Sequence, residues 1–159
     1  MKHKIVKTMM FQELGLPMRL CNVPMIFVRG EWIPNINYNR LQKAVLLHLC
    51  HKKFPLTGNE IAFIRNYFAM TTTQFGQKFG YSRSAVMKWE KYRDKFAQIR
   101  PTAEICIRLS ILIKLKQKAS AFKELCMEID ISHLNNILKY PRLPKAISLD
   151  VQEESLSAA

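Results

Sequence analysis

The chain has 159 residues, of which 48% are hydrophobic and 23% are charged, a composition that supports a buried core and excludes disorder throughout. Its 25 Lys and Arg residues against 12 Asp and Glu give a formal charge of +13, which predicts a polyanionic partner, either nucleic acid or an acidic membrane surface. The excess lies in residues 1–118, because residues 119–159 carry four basic and six acidic side chains.

Neither a membrane span nor a cofactor site is expected. No apolar run approaches the ~20 residues of a membrane-spanning helix, and no secretory leader begins the sequence. The widely spaced cysteines form no CxxC pair, which predicts free, buried thiols in a reducing compartment: Cys21, Cys50, Cys106 and Cys126. His48, Cys50 and His51 are too nearly consecutive on one helix to converge on an ion, so we expect no metal.

Residues 1–55 are predicted to form a small N-terminal element. Glycines and prolines interrupt the first 37 residues, and the segments 18–23 and 25–32 are rich in strand-forming residues, which predicts a β-hairpin or a small sheet. A helix is expected from the N-cap Asn39 to about Lys52, before Pro55. This element is too small for a core of its own, so we expect it to serve dimerisation or partner binding.

Residues 56–140 are predicted to form a bundle of five helices. Thr57 and Glu60 have the spacing of a capping box ahead of Ile61, Ile64 and Phe68. Further helices are expected from Thr71, from Ser82 as N-cap and from Pro101, the last with an apolar stripe at Ile105, Leu109, Leu112 and Ile113. One or two more helices are expected in residues 121–139, and residues 141–159 are expected to be a flexible tail. The predicted fold class is therefore mainly α.

The second and third of these helices have the features of a helix-turn-helix. Such a motif needs a small residue in the first helix facing the second, a glycine in the turn and a buried branched residue in the second helix. Gly76, Gly80 and Val86 stand at these offsets, and Ser82 is placed to cap the second helix. The joint match favours a DNA-binding motif over a generic three-helix bundle.

The segment LTGNEIAFIRNYFAMTTTQFGQKFGYSRSAVMKWE resembles the phage-repressor, or Xre/Cro-like, class of helix-turn-helix domains. It is similar to the C-terminal DNA-binding domain of the MqsA antitoxin family, whose pattern opens LTGxEIxFLR and closes VSxxxVSRWE. That family has an N-terminal zinc domain built on two CxxC pairs, whereas this chain offers only Cys21 and Cys50 ahead of the motif. The resemblance therefore implies the DNA-binding fold without the zinc domain.

Three residues near the start of the third helix are candidates for reading bases: Arg83, Ser84 and Lys88. Arg and Lys can donate to guanine O6 and N7, and Ser can donate or accept at several base edges; the resemblance also places Ser84 and Lys88 at base-contacting positions. Contacts with the DNA backbone are expected from Thr71, Thr72, Thr73, Lys78, Lys91 and Arg93. The resemblance further implies a structural ion pair between Arg65 and Glu90.

The expected function is sequence-specific binding of double-stranded DNA by a homodimer on a palindromic operator, because one recognition helix reads too few base pairs. Such a protein would be a transcriptional repressor, or an antitoxin with a toxin partner that represses its own type II operon, in the bacterial cytoplasm at the nucleoid. The alternatives are a non-regulatory nucleic-acid-binding protein, a basic peripheral membrane protein, or an enzyme using Cys50 with His51 or Cys126 with His133. We expect no enzyme, because neither pair has an orienting third residue.

Overall fold

The computed structural model describes residues 1–129 and 146–158. The chain divides into two compact units. Unit 1 consists of Met1–Val45 and Ala146–Ala159, and unit 2 consists of Leu46–Lys145. Within the described residues there are six helices and a four-stranded sheet, so the fold is mixed α/β, and the expectation of a mainly α five-helix bundle is too narrow.

Unit 1 is built on the sheet, whose strands are β1 His3–Phe11, β2 Met18–Val28, β3 Glu31–Pro34 and β4 Ile147–Asp150. Strand β2 is central. It pairs antiparallel with β1 along its length, antiparallel with β3 through Met25–Val28 and parallel with β4 through Met18–Cys21. Helix α1, Tyr38–Cys50, follows the sheet; the side chain of Asn37, not the predicted Asn39, accepts a hydrogen bond from the N–H of Arg40 at 3.1 Å.

Of the two predicted alternatives for this region, the small sheet is confirmed. The hairpin between segments 18–23 and 25–32 is wrong, because both segments belong mainly to the single strand β2. Pro24 does not interrupt strand β2. The Pro24 carbonyl accepts a hydrogen bond from Asn35 N–H at 2.7 Å, on the edge of β2 that pairs with β4 before Pro24 and with β3 after it. A missing N–H there removes no ladder bond. The chain reverses instead near Gly15 and Gly30, both with positive φ. Strand β1 was not predicted, since Lys4 and Lys7 interrupt its apolar residues.

The predicted flexible tail is also wrong for residues 146–158. Ile147 and Leu149 alternate into the buried side of β4, and Val151 and Leu156 are buried beyond it, so the segment contributes to the core of unit 1. The Asp150 carboxylate accepts from the N–H of Glu153 and of Gln152, at 3.1 and 2.9 Å. These bonds lower the pKa of Asp150. Residues 141–145 lie outside the described part of the chain.

Unit 2 contains five helices that begin within it: α2 Gly58–Tyr67, α3 Thr72–Phe79, α4 Arg83–Lys91, α5 Pro101–Lys114 and α6 Ala119–Glu128. The capping box at the start of α2 is confirmed, with both the Thr57 and the Glu60 bonds present. Ile61 and Ile64 are buried as expected, and Phe68 is 7% exposed. Residues 130–139, where a further helix was possible, are not described.

The predicted apolar stripe of α5 is wrong in register. Leu112 is buried, but Ile105 and Leu109 are half-buried and Ile113 is 66% exposed. The helix buries Ala103, Ile107 and Ile111 instead, together with the charged pair Glu104 and Arg108. Counting apolar residues alone misplaced the buried face, because this face carries two charges.

The Glu104–Arg108 pair is 1% exposed at both side chains, with Nη2 and Oε1 2.7 Å apart. Arg108 also donates to the carbonyls of Cys50, Lys52 and Phe54, and Glu104 accepts from the N–H of Leu56 at 2.9 Å. The pair therefore supplies hydrogen-bond partners to four backbone groups at and after the end of α1, as far as Leu56.

Candidate nucleic-acid interface

Helix α3 begins and ends with strong local signals. The Thr71 hydroxyl accepts from Gln74 N–H at 3.1 Å, and the Gln74 side chain accepts from Thr71 N–H at 2.9 Å, which completes a capping box. At the other end Gly80 has φ 78° and ψ 31°, and Tyr81 N–H donates to the Gly76 carbonyl at 2.8 Å. This is the Schellman arrangement that glycine favours, and it turns the chain into α4 within three residues.

Gly76 lets the turn pack directly on α3. A Cβ at this position would lie 2.5 Å from the Tyr81 carbonyl oxygen and 3.1 Å from that of Ser82, which no real side chain tolerates. Ser82 then caps α4 by accepting from Ala85 N–H at 3.2 Å. The predicted roles of Gly76, Gly80 and Ser82 are therefore confirmed as geometry, and together they fix the direction in which α4 leaves α3.

The orientation of α4 about its own axis is set by two buried side chains. Val86 is fully buried, as predicted, and Trp89 is 6% exposed. The Tyr81 ring meets the Trp89 ring edge-on, with centroids 4.8 Å apart, so the turn residue packs on the inward side of α4. This packing leaves the opposite side of α4 free to meet a ligand.

The outward side of α4 is continuous and basic. Its exposed residues are Arg83, Ser84, Met87, Lys88 and Lys91. At 100° per residue, Ser84, Lys88 and Lys91 fall within about 60° of each other on the helix surface, and Arg83 lies at one margin. The structure therefore brings the three predicted base-reading residues onto one face of one helix, and adds Lys91 to it.

The predicted backbone-contacting residues are distributed around this face. Thr71 and Thr73 are exposed, Thr72 is half-buried, and Lys78 and Arg93 are exposed. The capping box occupies the N–H groups of Thr71 and Gln74, whereas those of Thr72 and Thr73 are first-turn donors without an intrahelical acceptor. They suit a phosphate oxygen. Lys78 extends over the rings of Phe68 and Phe79 at 6.0 and 5.9 Å, which holds its charge beside α3.

The charge of this region is strongly one-sided. Residues 71–95 contain six basic and two acidic side chains, and all six basic residues are exposed. Both acidic groups have partners: Glu90 pairs with Arg65, and Asp94 accepts from the Asn59 side chain at 2.8 Å. The outward side of α3 and α4 therefore presents a positive field, which is what a polyanion requires.

The ion pair implied for Arg65 and Glu90 is present. It is bidentate, with Nε–Oε1 at 2.6 Å and Nη2–Oε2 at 3.2 Å, and the two side chains are 17% and 20% exposed. The ends of α2 and α4 also approach closely elsewhere, because a Cβ on Gly58 would lie 2.5 Å from Arg93 N and 2.6 Å from the Trp89 carbonyl oxygen. Helix α4 is thus held at its C-terminal end by α2 and at its N-terminal end by α3.

Sequence reasoning did not assign a role to Met87, which is 41% exposed among the polar residues of α4. The available signal was its position: it lies three residues after Ser84 and four before Lys91, and so on the same side of the helix. The sequence also places Met87 on or beside the exposed face of the helix, because Val86 and Trp89 are expected to face inward.

Within the part of the chain that the structure describes, the cysteine and histidine residues form no comparable site. Cys50 alone is buried, Cys21 is half-buried, and Cys106 and Cys126 are exposed, so the expectation of four buried thiols is wrong for three of them. Burial raises the pKa of Cys50 to about 12, although the charge of Arg108 opposes it. Nδ1 of His51 lies 2.6 Å from a Glu128 carboxylate oxygen, and His133 lies outside the described residues.

Among residues 1–129 and 146–158, no three His, Cys, Asp or Glu side chains are grouped so that they can hold a metal ion. No helix in that part of the chain is both long and apolar enough to cross a membrane. No protein-family model matches the chain, and comparisons with curated proteins and with solved structures gave no match.

Proposed function

We propose that the protein binds double-stranded DNA in a sequence-specific manner and regulates transcription. The observation that carries this proposal is the exposed face of α4, where Arg83, Ser84 and Lys88 lie on a helix that follows α3 after a three-residue turn. A helix of this kind fits the major groove of B-DNA, whose width of about 12 Å admits one helix. The phosphates on the groove wall would then face α3.

The three predicted base-reading residues lie on the first two turns of α4, so one copy reaches only a few base pairs. We therefore propose a homodimer on a palindromic operator, whose half-sites are separated by about one helical turn of DNA, 34–36 Å, or a multiple of it. The protein would act as a repressor, or as an antitoxin that represses its own operon with a toxin partner. Co-purification with the product of an adjacent small reading frame would distinguish the antitoxin from the simple repressor.

The test is selection of bound fragments from genomic DNA by the purified protein. We expect one enriched palindromic motif, bound in a complex that contains two protein copies by light scattering. The matched variants are Arg83→Ala/Lys88→Ala on α4 and Lys114→Ala/Lys116→Ala at the end of α5. Each removes two positive charges from exposed side chains. Only the α4 variant should lose the motif, and equal losses would contradict the proposal.

Two alternatives give different results in the same assays. A peripheral membrane protein would bind vesicles of anionic lipid at salt concentrations that abolish DNA binding. A non-regulatory nucleic-acid-binding protein would bind selected and scrambled duplexes equally, with the same dependence on salt. An enzyme using Cys50 is disfavoured by the raised pKa of its buried thiol, because the thiolate is the nucleophilic form.

A further inference from the structure

Met87 is exposed on the outward side of α4. Four large hydrophobic side chains are exposed among the described residues of unit 2, namely Phe54, Met87, Ile113 and Met127, and Met87, at 41%, is the one that lies on α4. Its neighbours on the outward side of α4 are polar or charged: Arg83, Ser84, Lys88 and Lys91. Core packing does not account for a methionine here, since the inward side of the helix is already filled by Val86 and Trp89.

In the major groove, one base feature is apolar. Thymine carries a 5-methyl group beside its O4 acceptor, and apolar side chains recognise thymine by contact with that methyl group. A methionine is long, flexible and polarisable, so it adapts to a small apolar target better than a branched side chain does. The flanking Ser84 and Lys88 supply hydrogen-bond donors for the neighbouring bases, and these donors cannot distinguish thymine from uracil.

We propose that Met87 recognises the 5-methyl group of a thymine in each half-site, and so determines a T·A pair beside the bases faced by Ser84 and Lys88. This inference rests on the proposed function, and it assigns part of the operator sequence that such a function would require. The preference comes from removing the methyl group and the end of the Met87 side chain from water together, so it involves no hydrogen bond.

The test replaces single thymines of the selected operator by deoxyuridine. Uracil keeps the pairing edge and the O4 acceptor of thymine and lacks only the methyl group, so the substitution isolates the proposed contact. Burial of one methyl-sized group corresponds to a change in Kd of about fourfold. We expect one position per half-site at which the wild-type protein loses about fourfold, and a loss of about sixteenfold when both half-sites are substituted.

The matched variants are Met87→Gln, which keeps the length of the side chain and removes its apolar end, and Met87→Leu, which keeps an apolar end. Met, Gln and Leu have similar helix propensities, so neither variant should unfold α4. We expect Met87→Gln to bind the thymine and uracil operators equally, and Met87→Leu to retain the preference for thymine. The ε-methyl NMR signal of Met87 should shift on the thymine operator and much less on scrambled DNA.

Three results would overturn the inference while leaving the proposed function intact: a selected half-site without thymine, wild-type binding that is indifferent to uracil at every position, or a thymine preference that survives in Met87→Gln. A protein without sequence preference would enrich no motif from unmodified DNA. That result would overturn the proposed function, and the role of Met87 with it.

Discussion

The Arg65 guanidinium binds the Glu90 carboxylate through two parallel hydrogen bonds and uses a third donor, Nη1, to bind the Met70 carbonyl at 2.9 Å. Arg65 lies in the last turn of α2, Glu90 lies near the end of α4, and Met70 precedes α3. One side chain therefore joins all three helices around the proposed DNA-binding face. Its planar guanidinium supplies the donor geometry that a lysine lacks.

Replacing Arg65 by methionine should lower the free energy of unfolding by about 1–3 kcal/mol, since bonds to charged groups are lost and Glu90 keeps no partner. The ~3–5 kcal/mol expected for a fully buried pair should not be reached, because solvent partly screens these side chains. Urea unfolding gives the value. The control is Lys114→Met, an exposed change that should stay within about 0.5 kcal/mol; equal effects would show that the pair contributes no stability.

The two glycines of the turn should respond differently to alanine. Gly76→Ala places a Cβ 2.5 Å from a backbone oxygen, so α3 and the turn must separate and DNA binding should be lost together with about 1–3 kcal/mol of stability. Gly80→Ala meets no atom within 4 Å and has only the unfavourable φ of 78°, worth about 1–2 kcal/mol. The two variants are compared by measuring operator affinity well below both melting temperatures. The Gly80→Ala variant should keep its affinity, and a loss of affinity in this variant would contradict the steric argument.

Much of the local structure of α2 to α4 was predictable because its signals are local. Thr57 with Glu60, Gly76, Gly80 and Ser82 act on backbone groups a few residues away, so their spacing in the sequence already implies their contacts. The side of α4 that is exposed followed from the positions of Val86 and Trp89. The same positions place Met87 on or beside that exposed side, but they do not assign it a role.

The predictions that failed concern contacts between residues far apart in the sequence. Strand β4 pairs with a strand more than a hundred residues earlier, and nothing near Ile147 indicates that partner. The buried face of α5 was missed because the prediction considered apolar residues only, whereas this face includes Glu104 and Arg108, which bind backbone groups of residues 50–56. Charged residues are rarely buried without partners, and the sequence does not show that such partners exist.

Lys88 and Lys91 should differ in their effect on specificity. Lys88 is on the second turn of α4, where it can reach a base edge, so Lys88→Ala should weaken operator binding by about 1–3 kcal/mol more than binding to scrambled DNA. Lys91 is the last residue of α4, about 10 Å along the axis from Ser84, where we expect phosphate. Lys91→Ala should weaken both alike and reduce the salt slope by about one unit.

Both variants are measured on operator and scrambled duplexes across a salt titration, and each serves as the control for the other because each removes one lysine charge from the same face. Equal losses of Lys88→Ala on the two duplexes would show that Lys88 does not read a base. The register of α4 in the groove would then differ from the one proposed.

The thiols should react at distinct rates. Cys106 and Cys126 are exposed, whereas Cys50 is buried and its pKa is raised to about 12. At pH 8 only about one Cys50 in ten thousand would be a thiolate, even when a reagent reaches it. Titration with a chromogenic disulfide should therefore label Cys106 and Cys126 rapidly in the native protein, and Cys50 only after addition of denaturant. Rapid native labelling of Cys50, identified by peptide mass, would contradict its burial.

Strand β4 should stabilise unit 1 through Leu149. Leu149 is 5% exposed, so Leu149→Ala should cost about 2–5 kcal/mol and speed amide exchange in β2. Ser148 points to the other face of the same strand and is exposed, so Ser148→Ala is the matched control and should leave the exchange unchanged. Hydrogen exchange of peptides covering residues 18–28 measures both. Unchanged protection in Leu149→Ala would support the sequence-based expectation of a flexible tail.

The parallel pairing of β4 with β2 also determines the order in which the molecule can be completed during synthesis. All of Leu46–Lys145 leaves the ribosome before Ile147 does, so the helices of unit 2 can pack while unit 1 still lacks one of its strands. At 5–20 residues per second, the interval is roughly 5–20 s. Throughout it, the Met18–Cys21 segment exposes an unpaired strand edge, which is open to premature pairing with other nascent chains. The part that we propose binds DNA is therefore finished first, and the N-terminal sheet last.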